Sequence, residues 1–168
     1  MEKVGIEIRH GRPDEIREIM AVYDAARGFM RASGNMNQWI NGYPSDDDIL
    51  KDISAGHNYV GIDSEGRIVV SFAFIIGNDP TYTYIEDGQW LNDNPYGTIH
   101  RIASNGLYRG MLERSVEFCF SLTQDIRIDT HRDNKPMLDA LQRLGFKRCG
   151  MIYCRDGSPR EAFQKHII

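Results

Sequence analysis

The sequence contains few cysteines, and they form no recognisable pattern. Cys119, Cys149 and Cys154 are an odd number of cysteines without the close spacing of a zinc site. They imply neither a disulfide framework nor a metal centre. We therefore expect a reduced, cytoplasmic protein that holds no metal.

Long apolar runs and blocks of like charge are also lacking. No apolar stretch approaches the roughly 20 residues that a membrane-spanning helix needs, and residues 1–10 are too charged for a signal peptide. Lysine and arginine are scattered, and the net charge is −4. We therefore expect neither a membrane nor a nucleic acid as a partner.

What the sequence does contain is enough apolar residues to fill one core. It has 168 residues, of which 41% are hydrophobic, and this is the size of one domain. No internal repeat, low-complexity tract or linker divides the chain. The sequence therefore predicts a single domain over residues 1–168.

The first half of the chain predicts two helices and several strands. Apolar residues recur at helical spacing after Pro13, and Ser45 is expected to cap a second, shorter helix. The turn sequence Asp63-Ser64-Glu65-Gly66 indicates a hairpin between two apolar strands. The predicted elements are strands 6–9, 59–62, 68–76 and 81–86, helices 13–30 and 46–54, and a loop over 87–95.

The second half predicts a strand-loop-helix-strand-helix unit, followed by two closing strands. This order sets a helix N-terminus, with its unpaired N–H groups, beside the end of a strand, where a phosphate can bind. Strands in hairpins followed by strands joined by helices indicate a mixed α/β fold. The predicted elements are strand 97–103, loop 104–110, helix 111–122, strand 125–130, a helix from Asn134 to Gly145-Phe146, and strands 147–153 and 160–168.

Several segments resemble the GCN5-related N-acetyltransferase (GNAT) family. They are the run His100-Arg101-Ile102-Ala103-Ser104-Asn105-Gly106, the helix after Gly110, and the run Ile128-Asp129-Thr130-His131-Arg132-Asp133-Asn134-Lys135-Pro136-Met137 ending in Leu144-Gly145-Phe146. The resemblance covers nearly the whole chain, and residues 134–146 are its most specific part.

The resemblance implies both a fold and an activity. The implied fold is a central mixed, mostly antiparallel sheet flanked by about four helices. The implied activity is direct transfer of acetyl from acetyl-coenzyme A to a primary amine of a small molecule or peptide. Homodimers are frequent in the family, although no stretch of this sequence specifies an interface.

The resemblance also implies a coenzyme site. The backbone of Ile102 and Ala103 would pair with the pantetheine arm, and Asn134 would contact the coenzyme or cap its helix. Arg109 would add a positive charge beside the pyrophosphate. The residues whose N–H groups would wrap the pyrophosphate are Leu107, Tyr108, Arg109, Gly110, Met111 and Leu112.

This loop departs from the family pattern, which is Gln or Arg, two residues, Gly, one residue, then Gly or Ala. Only Gly110 matches; Leu107 and Leu112 stand at the other two positions. If position 112 requires a left-handed backbone, leucine costs about 1–2 kcal/mol, and its side chain could also block the phosphates. Leu141 replaces the tyrosine that protonates the leaving sulfur in many members. The alternative is therefore a catalytically inactive GNAT-fold binding module.

His100 is the candidate general base, because imidazole titrates near neutrality. A lone histidine in a strand is, however, more often structural. Without the family's tyrosine, water, Ser104, Tyr108 or Tyr153 would protonate the thiolate. Asp129, His131 and Asp133 alternate and would share a face only if their strand extended that far.

Two groups of residues are candidates for binding the acceptor. Trp39 and Tyr43 would wall its pocket, or would simply plug the edge of the core. Glu86, Asp87 and Trp90 could receive a cationic amine through carboxylate and ring face. For these three the alternative is a solvated loop with one packed tryptophan.

Overall fold

A seven-stranded sheet organises the computed structural model, which describes residues 5–168. The predictions for residues 1–10 and for a domain over 1–168 include residues 1–4, which lie outside this range. The strands are β1 (Glu7–His10), β2 (Asn58–Ile62), β3 (Ile68–Ile76), β4 (Gly97–Ser104), β5 (Asp125–Thr130), β6 (Lys147–Tyr153) and β7 (Pro159–His166).

The strands lie in the order β1-β2-β3-β4-β5-β7-β6. Neighbouring strands are antiparallel except β4 and β5, which are parallel. The predicted mixed, mostly antiparallel sheet is therefore confirmed.

Helices cover both faces of the sheet. On one face, α1 and α2 pack against Val60, Ile68 and Ala103. On the other, α3 and α4 pack against a core that contains Phe72 and Ile128. None of the helices in residues 5–168 is long and apolar enough to cross a membrane. The helices are α1 (Ile16–Ala32), α2 (Asp46–Ser54), α3 (Met111–Phe120) and α4 (Lys135–Arg143).

The predicted strand over residues 81–86 is wrong. Pro80–Tyr82 form a 3-10 turn, because Pro80 fixes the first backbone angle and the Asp79 carboxylate accepts from the Thr81 N–H. Only Glu86 makes a strand-like contact, an isolated bridge to Met151. Aromatic and polar residues alternate here as they do in a strand, but Asp79 and Pro80 impose a turn instead.

Strands β4 and β5 separate soon after they begin. Their paired register consists of Gly97 with Ile126 and Thr98 with Arg127. Beyond Thr98 the two facing edges diverge, and a cleft opens between them. On its other edge β4 contains a bulge, where Arg101 has a φ of 51°.

Candidate active site

The cleft between β4 and β5 leads into a cavity of about 720 Å³. This volume is typical of a small-molecule site. Its walls come from the diverging strands, the loop between α1 and α2, the first turns of α2, residues 75–81, and the turn between β6 and β7. The cavity is therefore lined by the sheet together with α2 and the connecting segments.

His100 on β4 lies in this cavity and is hydrogen-bonded to Asp79. The distance from His100 Nε2 to Asp79 Oδ2 is 2.8 Å. Burial opposes ionisation of Asp79, but hydrogen bonds from His100 and Thr81 outweigh it and lower the pKa of Asp79 to about 2. An ionised carboxylate only accepts hydrogen bonds, so Nε2 carries the proton. Nδ1 is left as the basic nitrogen.

Beside this pair, the Tyr82 hydroxyl donates to Asp129 Oδ2 at 2.6 Å. The rings of Tyr82 and His100 lie 6.2 Å apart. Burial, followed by the charge of Asp129, raises the pKa of Tyr82 well above its ordinary value. Tyr82 is therefore a fixed donor, and Asp129 stays on the cavity wall with its second oxygen free of any hydrogen bond in residues 5–168.

Arg101, at the bulge in β4, links α1 and α2 to the sheet. Its guanidinium makes two bonds to Asp52 on α2, at 2.8 and 2.9 Å, and a third to the Tyr43 hydroxyl at 3.0 Å. Its carbonyl accepts from the buried Tyr23 hydroxyl at 2.6 Å. Burial works against the charge of Arg101, but the bond to Asp52 outweighs it and raises the pKa of Arg101.

The loop after α1 is held in place by its own polar contacts. Arg31 donates to the carbonyls of Asn35, Gln38 and Trp39 at 2.8–2.9 Å. The Gln38 side chain accepts from Asn35 and from Asn134 of the α4 cap, at 2.8 and 3.2 Å. This buried chain of amides links the loop to the start of α4.

The segment before α3 turns at Gly110, which has a φ of 77° and precedes the first helical residue. Leu112 is helical, and its side chain packs against the core under the sheet. The left-handed residue is thus glycine, and the cost considered for a left-handed leucine does not arise. Leu107 is exposed.

One solved structure decides the family. A GNAT-family acetyltransferase from Streptococcus agalactiae 2603 shares 36% identity and a TM-score of 0.89, over 98% of this chain and 96% of that chain. The chain belongs to the GCN5-related N-acetyltransferase (GNAT) family.

Two further acetyltransferase structures share the fold at lower identity. The acetyltransferase from Listeria monocytogenes 4b F2365 has 18% identity and a TM-score of 0.72 over 99% of both chains. PaiA N-acetyltransferase from Thermoplasma acidophilum, solved in complex with coenzyme A, has 13% identity and a TM-score of 0.65, over 97% of this chain and 99% of that chain. Neither a scan of protein-family models nor a search of curated proteins gives a match.

Among the predicted site residues of this GNAT protein, several meet at the cavity. His100, Ile102 and Asn134 line it, as do Trp39 and Tyr43. Trp39 also packs against Tyr23, with ring centroids 5.5 Å apart, so both interpretations considered for Trp39 describe its contacts. The Asn134 side chain caps α4 by accepting from the Met137 N–H at 3.4 Å.

Ser104 and Tyr108 do not join His100, because both lie outside the cavity lining. The Tyr108 hydroxyl donates to Asp63 in the β2–β3 turn at 3.0 Å, and Ser104 accepts from the Gly106 N–H at 3.3 Å. Tyr153 donates to Glu86 at 2.8 Å. Leu141 is fully buried in the core.

Nor does the cavity lining include Glu86, Asp87 or Trp90. The Glu86 carboxylate accepts from Tyr84 and Tyr153, and Trp90 packs over the Arg127 guanidinium at 4.2 Å. The expected acceptor contacts of these three residues are therefore absent from the cavity wall. A loop with one packed tryptophan describes them better.

Sequence reasoning missed Asp79, Asp52 and Tyr82. Asp79 precedes Pro80, a pair that in sequence signals only a turn. Its partner His100 is 21 residues away, and Asp52 is 49 residues from Arg101. These contacts depend on strand pairing and helix packing, for which no local pattern exists.

Proposed function

We propose that this GNAT protein transfers acetyl from acetyl-coenzyme A to a primary amine of a small molecule or peptide, by direct attack of the amine on the thioester. The observation that carries the proposal is His100, oriented by Asp79 at the mouth of the β4–β5 cleft. Direct transfer needs both substrates in one cavity, and holding them together supplies much of the rate.

Acetyl-coenzyme A is the donor that family membership implies, and the chain offers suitable contacts for it. The edge of β4 that faces the cleft has no described strand partner beyond Thr98, and an extended pantetheine arm can pair with it at Ile102, which lines the cavity. Ala103, the other residue expected to pair with the arm, is in register with Ser71 of β3 on the opposite edge. The N–H groups of residues 107–112 precede or open α3, where an anion is stabilised. Arg109 adds charge, and Asn134 faces the same cleft.

His100 Nδ1 accepts the proton that the amine gives up as its nitrogen bonds to the acetyl carbon. Asp79 holds the Nε2–H and stabilises the imidazolium that forms. The departing thiolate takes a proton from water, because Leu141 cannot donate one and Tyr108 and Tyr153 already donate elsewhere.

The alternative is an inactive binding module, and its main support has weakened. Leu112 is helical and packed against the core, so it neither requires a left-handed backbone nor points freely at the phosphates. Leu141 remains in favour of this alternative, because no tyrosine replaces it on α4.

The test combines acetyl-coenzyme A titration by calorimetry with thiol release over a panel of primary amines. His100→Gln should lower kcat by about 10²–10⁴-fold, the range for loss of a general base, while acetyl-coenzyme A affinity stays unchanged. His57→Gln, outside the cavity, is the matched control and should keep full turnover.

Each result has a distinct meaning. Binding of acetyl-coenzyme A without thiol release for any amine would favour the binding module. Full turnover by His100→Gln would remove His100 from the mechanism. Absence of acetyl-coenzyme A binding would contradict the proposed function as a whole.

A further inference from the structure

The cavity contains three cationic side chains that form no ion pair among the described residues. Arg155 and Arg160 come from the β6–β7 turn and its strand, Lys51 comes from α2, and all three line the cavity. In residues 5–168 none of them forms an ion pair with a carboxylate. Arg101, in the same cavity, is paired with Asp52.

The described hydrogen bonds to the carboxylates of the cavity come from groups other than Lys51, Arg155 and Arg160. Asp52 and Asp79 are bonded to Arg101 and His100. Asp156 accepts from the N–H and hydroxyl of Ser158 at 2.9 and 2.6 Å, and these bonds, with a smaller contribution from the charge of Arg160, lower the pKa of Asp156. Asp48 accepts from Ser45 at the start of α2. Asp48, Asp129 and Asp156 each keep one oxygen without a hydrogen bond among the described residues.

Arg160 is the most informative of the three cations, because its side chain is half-buried. One of its terminal nitrogens donates to the Ser158 hydroxyl and the Pro159 carbonyl, at 3.2 and 2.9 Å. Its remaining donors have no partner in residues 5–168. A partly desolvated guanidinium is stabilised by an anion, and its planar fork matches a carboxylate.

We propose that the acceptor is a small amine that also carries a carboxylate, as an amino acid does, with the carboxylate bound by Arg160 and Arg155 and the amine facing His100 and Asp129. This inference rests on the proposed function, because it names the acceptor class of that reaction. It reverses the cationic acceptor expected from Glu86 and Asp87. The apolar groups of Trp39, Ile40 and Tyr43 would contact the rest of the molecule.

The test compares acceptors that differ in this one charge. Thiol release from acetyl-coenzyme A is measured with L-methionine, L-phenylalanine and L-glutamate, with their α-amides, and with spermidine. The α-amides have less basic amines, so intrinsic reactivity at neutral pH favours them over the acids. We expect the opposite order, with kcat/KM at least tenfold higher for an acid than for its amide, mainly through KM.

Variants then assign the preference to the arginines. Arg160→Gln should bring the acid-to-amide ratio close to one, and Arg155→Gln, whose side chain has no described partner, should reduce it without disturbing the turn. Arg143→Gln, exposed at the end of α4 and outside the cavity, should keep the ratio. Equal use of acids and amides, preference for spermidine, or an unchanged ratio in both cavity variants would overturn the inference.

A binding measurement separates this inference from the proposed function. If acetyl-coenzyme A binds but no amine releases thiol, the proposed function fails. N-acetyl-L-methionine and its amide are then titrated by calorimetry. Tighter binding of the acid that is lost in Arg160→Gln would support the anion site. Equal or absent binding would contradict it.

Discussion

The two sides of the cleft are formed by different chemical groups, backbone on one side and side chains on the other. The proposed coenzyme side consists mainly of backbone: the unpaired edge of β4 and the N–H groups that open α3 after Gly110. The proposed acceptor side consists of side chains, in which Tyr23, Asp52 and Tyr43 converge on Arg101. Backbone groups are present whatever the residue. We therefore expect the proposed coenzyme side to tolerate Leu107 and Leu112, and the proposed acceptor side to be sensitive to single substitutions.

The largest effect of a single substitution is expected at the pair between Asp52 and Arg101. Asp52→Ala leaves a largely buried guanidinium without its partner, and removing one member of such a pair typically costs about 3–5 kcal/mol in free energy of unfolding. Because the pair holds α2 and Tyr43, KM for the acceptor should rise while acetyl-coenzyme A affinity stays the same. Urea denaturation and calorimetry measure the two effects.

The matched control for Asp52→Ala is Asp24→Ala. Asp24 also pairs with an arginine, Arg27, but its side chain is 71% exposed, and such surface pairs contribute only about 0–1 kcal/mol. Equal losses of stability in the two variants would mean that the acceptor-side network is no more than a surface ion pair.

The next effect concerns Asp79, whose folded-state pKa of about 2 lies below its ordinary value near 3.8. A carboxylate with a lowered pKa stabilises the fold fully above its unfolded pKa, and that stability is lost as pH falls toward the folded pKa. Asp79→Asn should therefore lower the free energy of unfolding by about 2 kcal/mol at pH 6. The difference from the natural protein should shrink between pH 4 and pH 2.

Denaturation at a series of pH values checks this prediction. Asp93→Asn, exposed in the loop before β4 and without a described hydrogen bond, is the control and should follow the natural profile. A difference for Asp79→Asn that does not change with pH would show that the His100–Asp79 contact contributes nothing through its charge.

The sequence predicted local structure well where a few neighbouring residues decide it. The helix Asp46–Ser54 with its Ser45 cap, the strand Ile68–Ile76 and the strand Asp125–Thr130 have the predicted bounds. The strand predicted over residues 81–86 is wrong because Pro80 and the Asp79 cap impose a turn despite the alternation of aromatic and polar residues. Whether Trp90 would wall the pocket or pack in its own loop stayed open in the sequence, because periodicity does not say which face of a sheet a later loop will cover; Trp90 lies outside the cavity lining.

For the candidate site too, residues in recognisable elements were predicted, whereas their distant partners were not. His100, Asn134, Trp39 and Tyr43 were identified because each lies in or beside a recognisable element, and all line the cavity. The partners that orient them come from distant parts of the chain. Arg155 in the β6–β7 turn and Arg160 in β7 gave no signal, because only the folded structure shows that they line the cavity without an ion pair among the described residues.

The smallest effect is expected at Gly110, where a substitution tests whether the proposed coenzyme side tolerates a change of side chain. Gly110 has a left-handed backbone, and a methyl group added to its α-carbon would meet open space. Gly110→Ala therefore introduces backbone strain alone, about 1–2 kcal/mol. If that strain turns the N–H groups away from the pyrophosphate, acetyl-coenzyme A affinity falls by about tenfold. Gly56→Ala, equally left-handed and open but between α2 and β2, should lose similar stability without losing affinity.

Leu112→Gly tests a second position of the same segment, where the family pattern has a small residue. Leu112 is helical and packs against the core, so glycine should lower stability, by about 1 kcal/mol from helix propensity alone, and should not strengthen acetyl-coenzyme A binding in calorimetry. Stronger binding by Leu112→Gly would mean that the leucine obstructs the phosphates. The coenzyme side would then depend on side-chain identity as much as the acceptor side does.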